Sequence, residues 1–197
     1  MGIQPGGEGP CDPAGAASER FEEFVKAGMP HLASEIWRYC ALHLEGGAYV
    51  DAASPLLMTF RDAFLSPDGN GGGSTGKNIA VLGDPDLGYA RWTVHGSFLM
   101  TSEPGNDVIG GMVRVLIDTD VAELGWDPLF LPRKLYRLIA DDVGAGGEGG
   151  GQLVPGRNRG MGDRSGVEWT LLDMTCNVGP LCGDSGEGGM MLQGGYR

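Results

Sequence analysis

The chain has 197 residues, enough for one domain of ordinary size, but glycine and proline together make up about a quarter of it, where non-periodic composition approaches low complexity. A formal net charge of -12 repels phosphate backbones and anionic lipid surfaces, so nucleic acid is not expected as a partner. No apolar run reaches the eighteen or so residues that a membrane span needs, and the opening MGIQPGGEGP lacks the charged and apolar regions of a signal peptide.

In chain order, residues 1–17 read as a disordered lead. Ser18 is placed to cap a helix from Glu19 to about Ala27, ahead of an acidic first turn and the Phe21, Phe24, Val25 stripe. Pro30 breaks that helix. A second is predicted from about Leu32 to Glu45, with Leu32, Ile36, Cys40 and Leu44 on one apolar stripe that Trp37 and Ala41 widen. Glu35 and Arg38, three apart, fall on one side of it. Gly46 and Gly47 supply a left-handed cap, Ala48 to Val50 begins a strand, and Asp51 stands where that strand ends. Ligands of open α/β sheets bind at the carboxyl ends of strands, which makes Asp51 a site candidate by position alone.

The segment Leu56 to Leu65 fits a short helix or a strand equally well. The glycine-rich loop 69–76 then runs into GGGSTGKN, which imitates a Walker A phosphate loop. That chemistry needs a helix after the loop and a Ser or Thr after the lysine for magnesium. Here Asn78 follows Lys77 and a strand pattern follows both, so a nucleotide triphosphatase is not expected. Strands are predicted at Ile79 to Leu82 and Thr93 to Met100. Asn106 or Asp107 should cap a helix through about Asp120, burying Ile109, Met112, Val113, Leu116 and Ile117. Pro132 suits the first turn of another, with Leu135, Leu138 and Ile139 inward and an end near Asp141. A glycine-rich linker over 144–166 should separate a tail, 167–197, that holds one strand from Glu168 to Met174 and is otherwise flexible. The pattern is that of a mixed α/β domain over 18–143.

The cysteines Cys11, Cys40, Cys176 and Cys182 have no metal-ligand spacing. Cys40, inside a helix, reads as a buried thiol acting as a small hydrophobe, and a Cys176–Cys182 disulfide is open in an oxidising compartment. Arg157, Arg159 and Arg164 read as a solvated loop. Trp92, Trp126 and Trp169 could stack on sugars but read better as core.

The stretch ASEIWRYCALHLEGGAYVDA resembles the sugar-binding region of D-x-D-containing glycosyltransferases of family 32, the type that includes α-1,6-mannosyltransferases and sphingolipid mannosyltransferases. The family pattern runs A-S-D-x-x-R-Y, a leucine turn, then G-G-x-Y-x-D-x-D. Ala33, Ser34, Arg38, Tyr39, Leu42, Gly46, Gly47, Tyr49 and Asp51 all fall in register with it. The later HGSFLMTSEPGNDVIGGMVRVLI and LPRKLYRLI are similar to the family's downstream strand, helix and proline-led helix, so the resemblance covers roughly residues 31–141.

What the resemblance implies is a GT-A-like, Rossmann-like nucleotide-diphospho-sugar transferase with a mixed α/β sheet. Such an enzyme moves a hexosyl unit, mannosyl in the nearest types, from a nucleotide sugar to a glycan or glycolipid acceptor in the Golgi or another secretory compartment. A manganese or magnesium ion held by the D-x-D carboxylates neutralises the departing diphosphate. By this analogy Asp51 is the catalytic and metal-binding carboxylate, Glu35 and Arg38 with Tyr49 bind the donor, and His95, next to Gly96, is a candidate on the acceptor side. Bland readings stand beside these: Glu35 with Arg38 as a surface ion pair, Asp51 as a turn acid, His95 as a structural histidine.

Two departures qualify the resemblance. Ala53 occupies the position of the second D-x-D aspartate, which weakens the implied metal site unless Asp84, Asp86 or the donor compensates. About thirty residues precede the second helix, where the family carries a nucleotide-binding β/α unit, so an N-terminally short domain without the usual anchor is expected. The alternatives are a degenerate domain that binds a nucleotide sugar or glycan without turnover, and a glycine-rich scaffold with no ligand.

Overall fold

The structure, a computed structural model, describes residues 11, 15–52, 77–82, 93–145, 152–154, 156–160 and 167–173. Its elements run α1 (Ala16–Lys26), α2 (Pro30–Glu45), β1 (Gly47–Val50), β2 (Lys77–Leu82), β3 (Val94–Thr101), α3 (Asp107–Asp118), α4 (Val121–Trp126), α5 (Phe130–Asp142), β4 (Gly156–Arg159) and β5 (Glu168–Asp173). The five strands form one mixed sheet in the order β1-β3-β2-β5-β4, parallel between β2 and β5 and antiparallel elsewhere. The α/β class is thus as expected.

Helix α1 begins at Ala16 with Gly15 as its N-cap, so Ser18 lies inside the first turn and is not the cap. Pro30 opens α2, where a missing N–H costs nothing and the fixed φ is already helical. The helix stops at Gly46, whose φ of 67° disfavours a side chain and whose Cβ, if present, would lie 3.0 Å from the Glu103 backbone. β1 then runs back along β3 in the register Gly47 with Thr101 to Val50 with Phe98.

One core joins the helices to the sheet. Phe24 of α1, Leu32, Ile36 and Tyr39 of α2, Ile109, Met112 and Leu116 of α3, Leu135 and Ile139 of α5, and Leu99 and Trp169 of the sheet are all buried in it. Burial of each large apolar side chain contributes roughly 1.5–3 kcal/mol. Arg20 donates from Nε to the Leu116 carbonyl at 2.9 Å and from Nη2 to the Thr119 carbonyl. It thereby satisfies acceptors that the end of α3 leaves without helical partners.

The predicted linker over 144–166 is corrected at its C-terminal half. Gly156–Arg159 is a strand paired with β5, and β5 lies between β2 and β4 in the sheet, so the last strand belongs to the same layer as the rest. Trp169 Nε1 donates to Asp142 Oδ2 at 2.9 Å, and the Leu153 amide donates to the Tyr136 hydroxyl at 3.1 Å. Both bonds tie residues on either side of β4 to α5, and Trp169 is core, not a sugar platform. The helix expected through about Asp120 runs from Asp107 to Asp118, and Asp120 then caps the further short α4 by accepting from the Ala122 amide. Lys77 opens a strand and not a helix, which removes the phosphate-loop geometry.

Two expectations about cysteine and apolar pattern also change. Cys40 is not a free thiol: it forms a disulfide with Cys11, whose Cα lies 5.4 Å away, so the expected disordered lead is tied to α2 at that point. Trp37 and Leu44, predicted on the buried stripe, are 59% and 53% exposed, and the charged Arg38 is buried in their place. The segment Leu56 to Leu65, the loop 69–76, Ala53, Asp84, Asp86, Trp92, Cys176, Cys182, Arg164 and the tail beyond 173 lie outside the described residues.

Candidate functional site

Arg38 faces the sheet because polar partners wait for it there. Its Nη1 donates to the Gly96 carbonyl at 2.7 Å and lies 3.3 Å from Glu35 Oε1, while Nη2 donates to Asp51 Oδ1 at 3.1 Å. The guanidinium also sits 4.3 Å from the centroid of the Tyr49 ring, within cation-π range. The helical i, i+3 spacing brings Glu35 alongside, the glycine cap turns the chain, and β1 presents Tyr49 and Asp51 two residues apart.

Tyr49 donates its hydroxyl to the same Asp51 Oδ1 at 2.6 Å and accepts from Ser34. The Asp51 amide donates to the Ser97 carbonyl at 2.8 Å, so β3 holds the residue after the strand itself ends. Tyr39 donates its hydroxyl to Glu35. Six side chains, Ser34, Glu35, Arg38, Tyr39, Tyr49 and Asp51, therefore form one hydrogen-bonded cluster between α2 and the β1–β3 edge.

The cluster is graded in exposure. The Arg38 side chain is 7% exposed, Glu35 22% and Asp51 30%. Water thus reaches the carboxylates and not the guanidinium, and a ligand hydroxyl or phosphate would meet the same order. Burial raises the Glu35 pKa; Asp51 adds to the rise and Arg38 opposes it. Burial, and then the Glu35 charge, pushes the Tyr39 phenol well above its ordinary value, which keeps it a neutral donor. Tyr49 is raised by burial and by its bond to Asp51.

Sequence reasoning assigned Glu35, Arg38, Tyr49 and Asp51 to one site, and the structure brings these four together. His95, the candidate on the acceptor side, lies on β3, where burial lowers its pKa. The neighbour that enters the cluster is Gly96, through its carbonyl. Comparison of the chain with models of known protein families and with curated protein sequences gives no match. Ser34, Tyr39 and Gly96 are the three members to which the pattern assigned no role. The i, i+4 spacing of Glu35 and Tyr39 and a glycine inside a strand pattern were the signals available.

Among the described residues, no group of three or more His, Cys, Asp or Glu side chains could hold a metal ion. Asp51 is the one described carboxylate assigned to a metal by the resemblance, and a guanidinium already occupies its Oδ1. The described side chains do not by themselves make a metal site.

Proposed function

We propose that the Glu35–Arg38–Asp51 cluster binds the sugar portion of a nucleotide-sugar donor, in a domain of the D-x-D glycosyltransferase type that passes a hexosyl unit, mannosyl in the types it most resembles, to a glycan or glycolipid. One observation carries the reading: two carboxylates of graded exposure flank a buried guanidinium at the end of β1, where the chain resembles the family's donor region. Carboxylates accept from sugar hydroxyls, and a guanidinium fork suits sugar or phosphate oxygens. The protein's own side chains orient the donor. The Cys11–Cys40 disulfide supports the oxidising, secretory compartment that the resemblance implies, the Golgi among them. No helix among the described residues is long and apolar enough to cross a membrane.

A second reading, binding without turnover, is favoured by the engagement of Asp51 with Arg38 and by Ala53 at the second aspartate position. Calorimetric titration with GDP-mannose and UDP-glucose, with and without manganese, tests both. Heat that disappears in Asp51→Ala supports donor binding, and no heat from any donor refutes it. Manganese-dependent donor hydrolysis by the native chain identifies an enzyme; hydrolysis that appears only in Ala53→Asp identifies a binding domain that has lost catalysis.

A further inference from the structure

The register of the sheet breaks beside the cluster. Ala80 pairs with Leu99 and the next residue, Val81, pairs with His95, so Gly96, Ser97 and Phe98 have no counterpart on β2. On the other side β1 pairs only as far back as Phe98. The Gly96 carbonyl is thus outside both paired stretches, and Arg38 Nη1 is its donor at 2.7 Å.

The volume at Gly96 is also already taken. A Cβ there would lie 2.9 Å from Arg38 Nη1, 3.3 Å from the Tyr39 hydroxyl and 3.7 Å from Glu35 Oε2. The first distance is shorter than real Cβ contacts, and the group in the way is not a loose surface end. It is a guanidinium held by Gly96, Glu35 and Asp51 on a side chain 7% exposed. Gly96 is described with no positive φ, so backbone conformation is not what requires glycine here. A glycine within a strand marks a bulge or the close approach of another group, and both are found at Gly96.

We infer that Gly96 is a positioning residue of this site: its carbonyl anchors the Arg38 guanidinium, and its missing side chain leaves the space in which Arg38 reaches both carboxylates and Tyr39 reaches Glu35. The functional side of this inference rests on the donor-binding reading; the positioning of Arg38 does not. A methyl group at position 96 would push Nη1 off the carbonyl and rotate the guanidinium away from Asp51 or Glu35.

A double-mutant cycle separates this role from a simple need of the strand. Arg38→Lys keeps the charge, but an ammonium ends one bond short of the Nη atoms and does not enter the volume of the Cβ. Four proteins are compared by urea unfolding: native, Gly96→Ala, Arg38→Lys and the double variant. Gly96→Ala should lower the unfolding midpoint in the native background and change it little in the lysine background. An equal loss in both backgrounds, or no loss in the native one, overturns the inference. Resolved guanidinium proton signals of Arg38 in the native chain should collapse in folded Gly96→Ala; unchanged signals also overturn it. In calorimetry with GDP-mannose, loss of one charge-assisted bond should weaken binding about tenfold in Gly96→Ala. No heat from the native chain would overturn donor binding alone, because the unfolding cycle and the Arg38 signals decide the role of Gly96 without a ligand.

Discussion

Replacing Arg38 with methionine keeps the length of an apolar side chain and removes the charge that holds the cluster together. Glu35 and Asp51 would then face each other with side chains only 22% and 30% exposed, and the Gly96 carbonyl would lose its donor. Breaking a buried ion pair from one side costs about 3–5 kcal/mol. Because both carboxylates retain some access to water, we expect the lower end, about 3 kcal/mol, read as a fall in the urea midpoint near pH 7.

The pH dependence gives a sharper check. The Glu35 pKa is already raised above its ordinary 4.5, by burial first, and Arg38 is what restrains the rise. A carboxyl whose folded pKa exceeds its unfolded value holds the extra proton in the folded state. Its ionisation therefore costs stability as pH rises from 4.5 through the folded value. Without Arg38 the folded value climbs further, so the deficit of Arg38→Met should be smaller at about pH 5 than at about pH 7. A loss below about 1 kcal/mol, the range of exposed pairs, or a loss independent of pH would refute the reasoning.

Reduction of the Cys11–Cys40 disulfide, or Cys40→Ser, should cost about 3–4 kcal/mol from the freed loop, read by urea unfolding with and without reductant. Unchanged stability would show that residue 11 is not tied to α2 in solution. Asn106 accepts from the Ile109 amide at 3.1 Å and donates to Asn78 Oδ1 at 3.3 Å. Asn106→Ala should therefore lose about 1–2 kcal/mol in thermal unfolding, and a change of a few tenths would contradict its role as the cap of α3.

Much of the fold was legible because local chemistry agreed with it. The Gly46–Gly47 pair marked the end of α2, Asn106 was one of two candidates for the cap of α3 that it forms, and the apolar spacing of Ile109, Met112, Val113 and Leu116 picked the buried face of that helix correctly. The rotation of α2 was not legible. Hydropathy placed Trp37 and Leu44 inward, and the structure buries Arg38 instead, because partners from β1 and β3 offset the desolvation of the guanidinium. Those partners are 13 and 58 residues away along the chain, beyond the reach of any helical periodicity. Strand β4 was missed for a related reason: GRNR carries no apolar alternation, and its pairing with β5 supplies what its composition does not.

The sequence by itself put forward Glu35, Arg38, Tyr49 and Asp51 through the family resemblance, and Asp51 also by its place at a strand end. Only the tertiary structure decided that Arg38 reaches both carboxylates, that Ser34, Tyr39 and Gly96 complete the cluster, and that Cys40 is bonded to Cys11. Each of these depends on which distant backbone or side chain fills the space beside α2. Contacts across the fold carry that information, and neighbours along the chain do not.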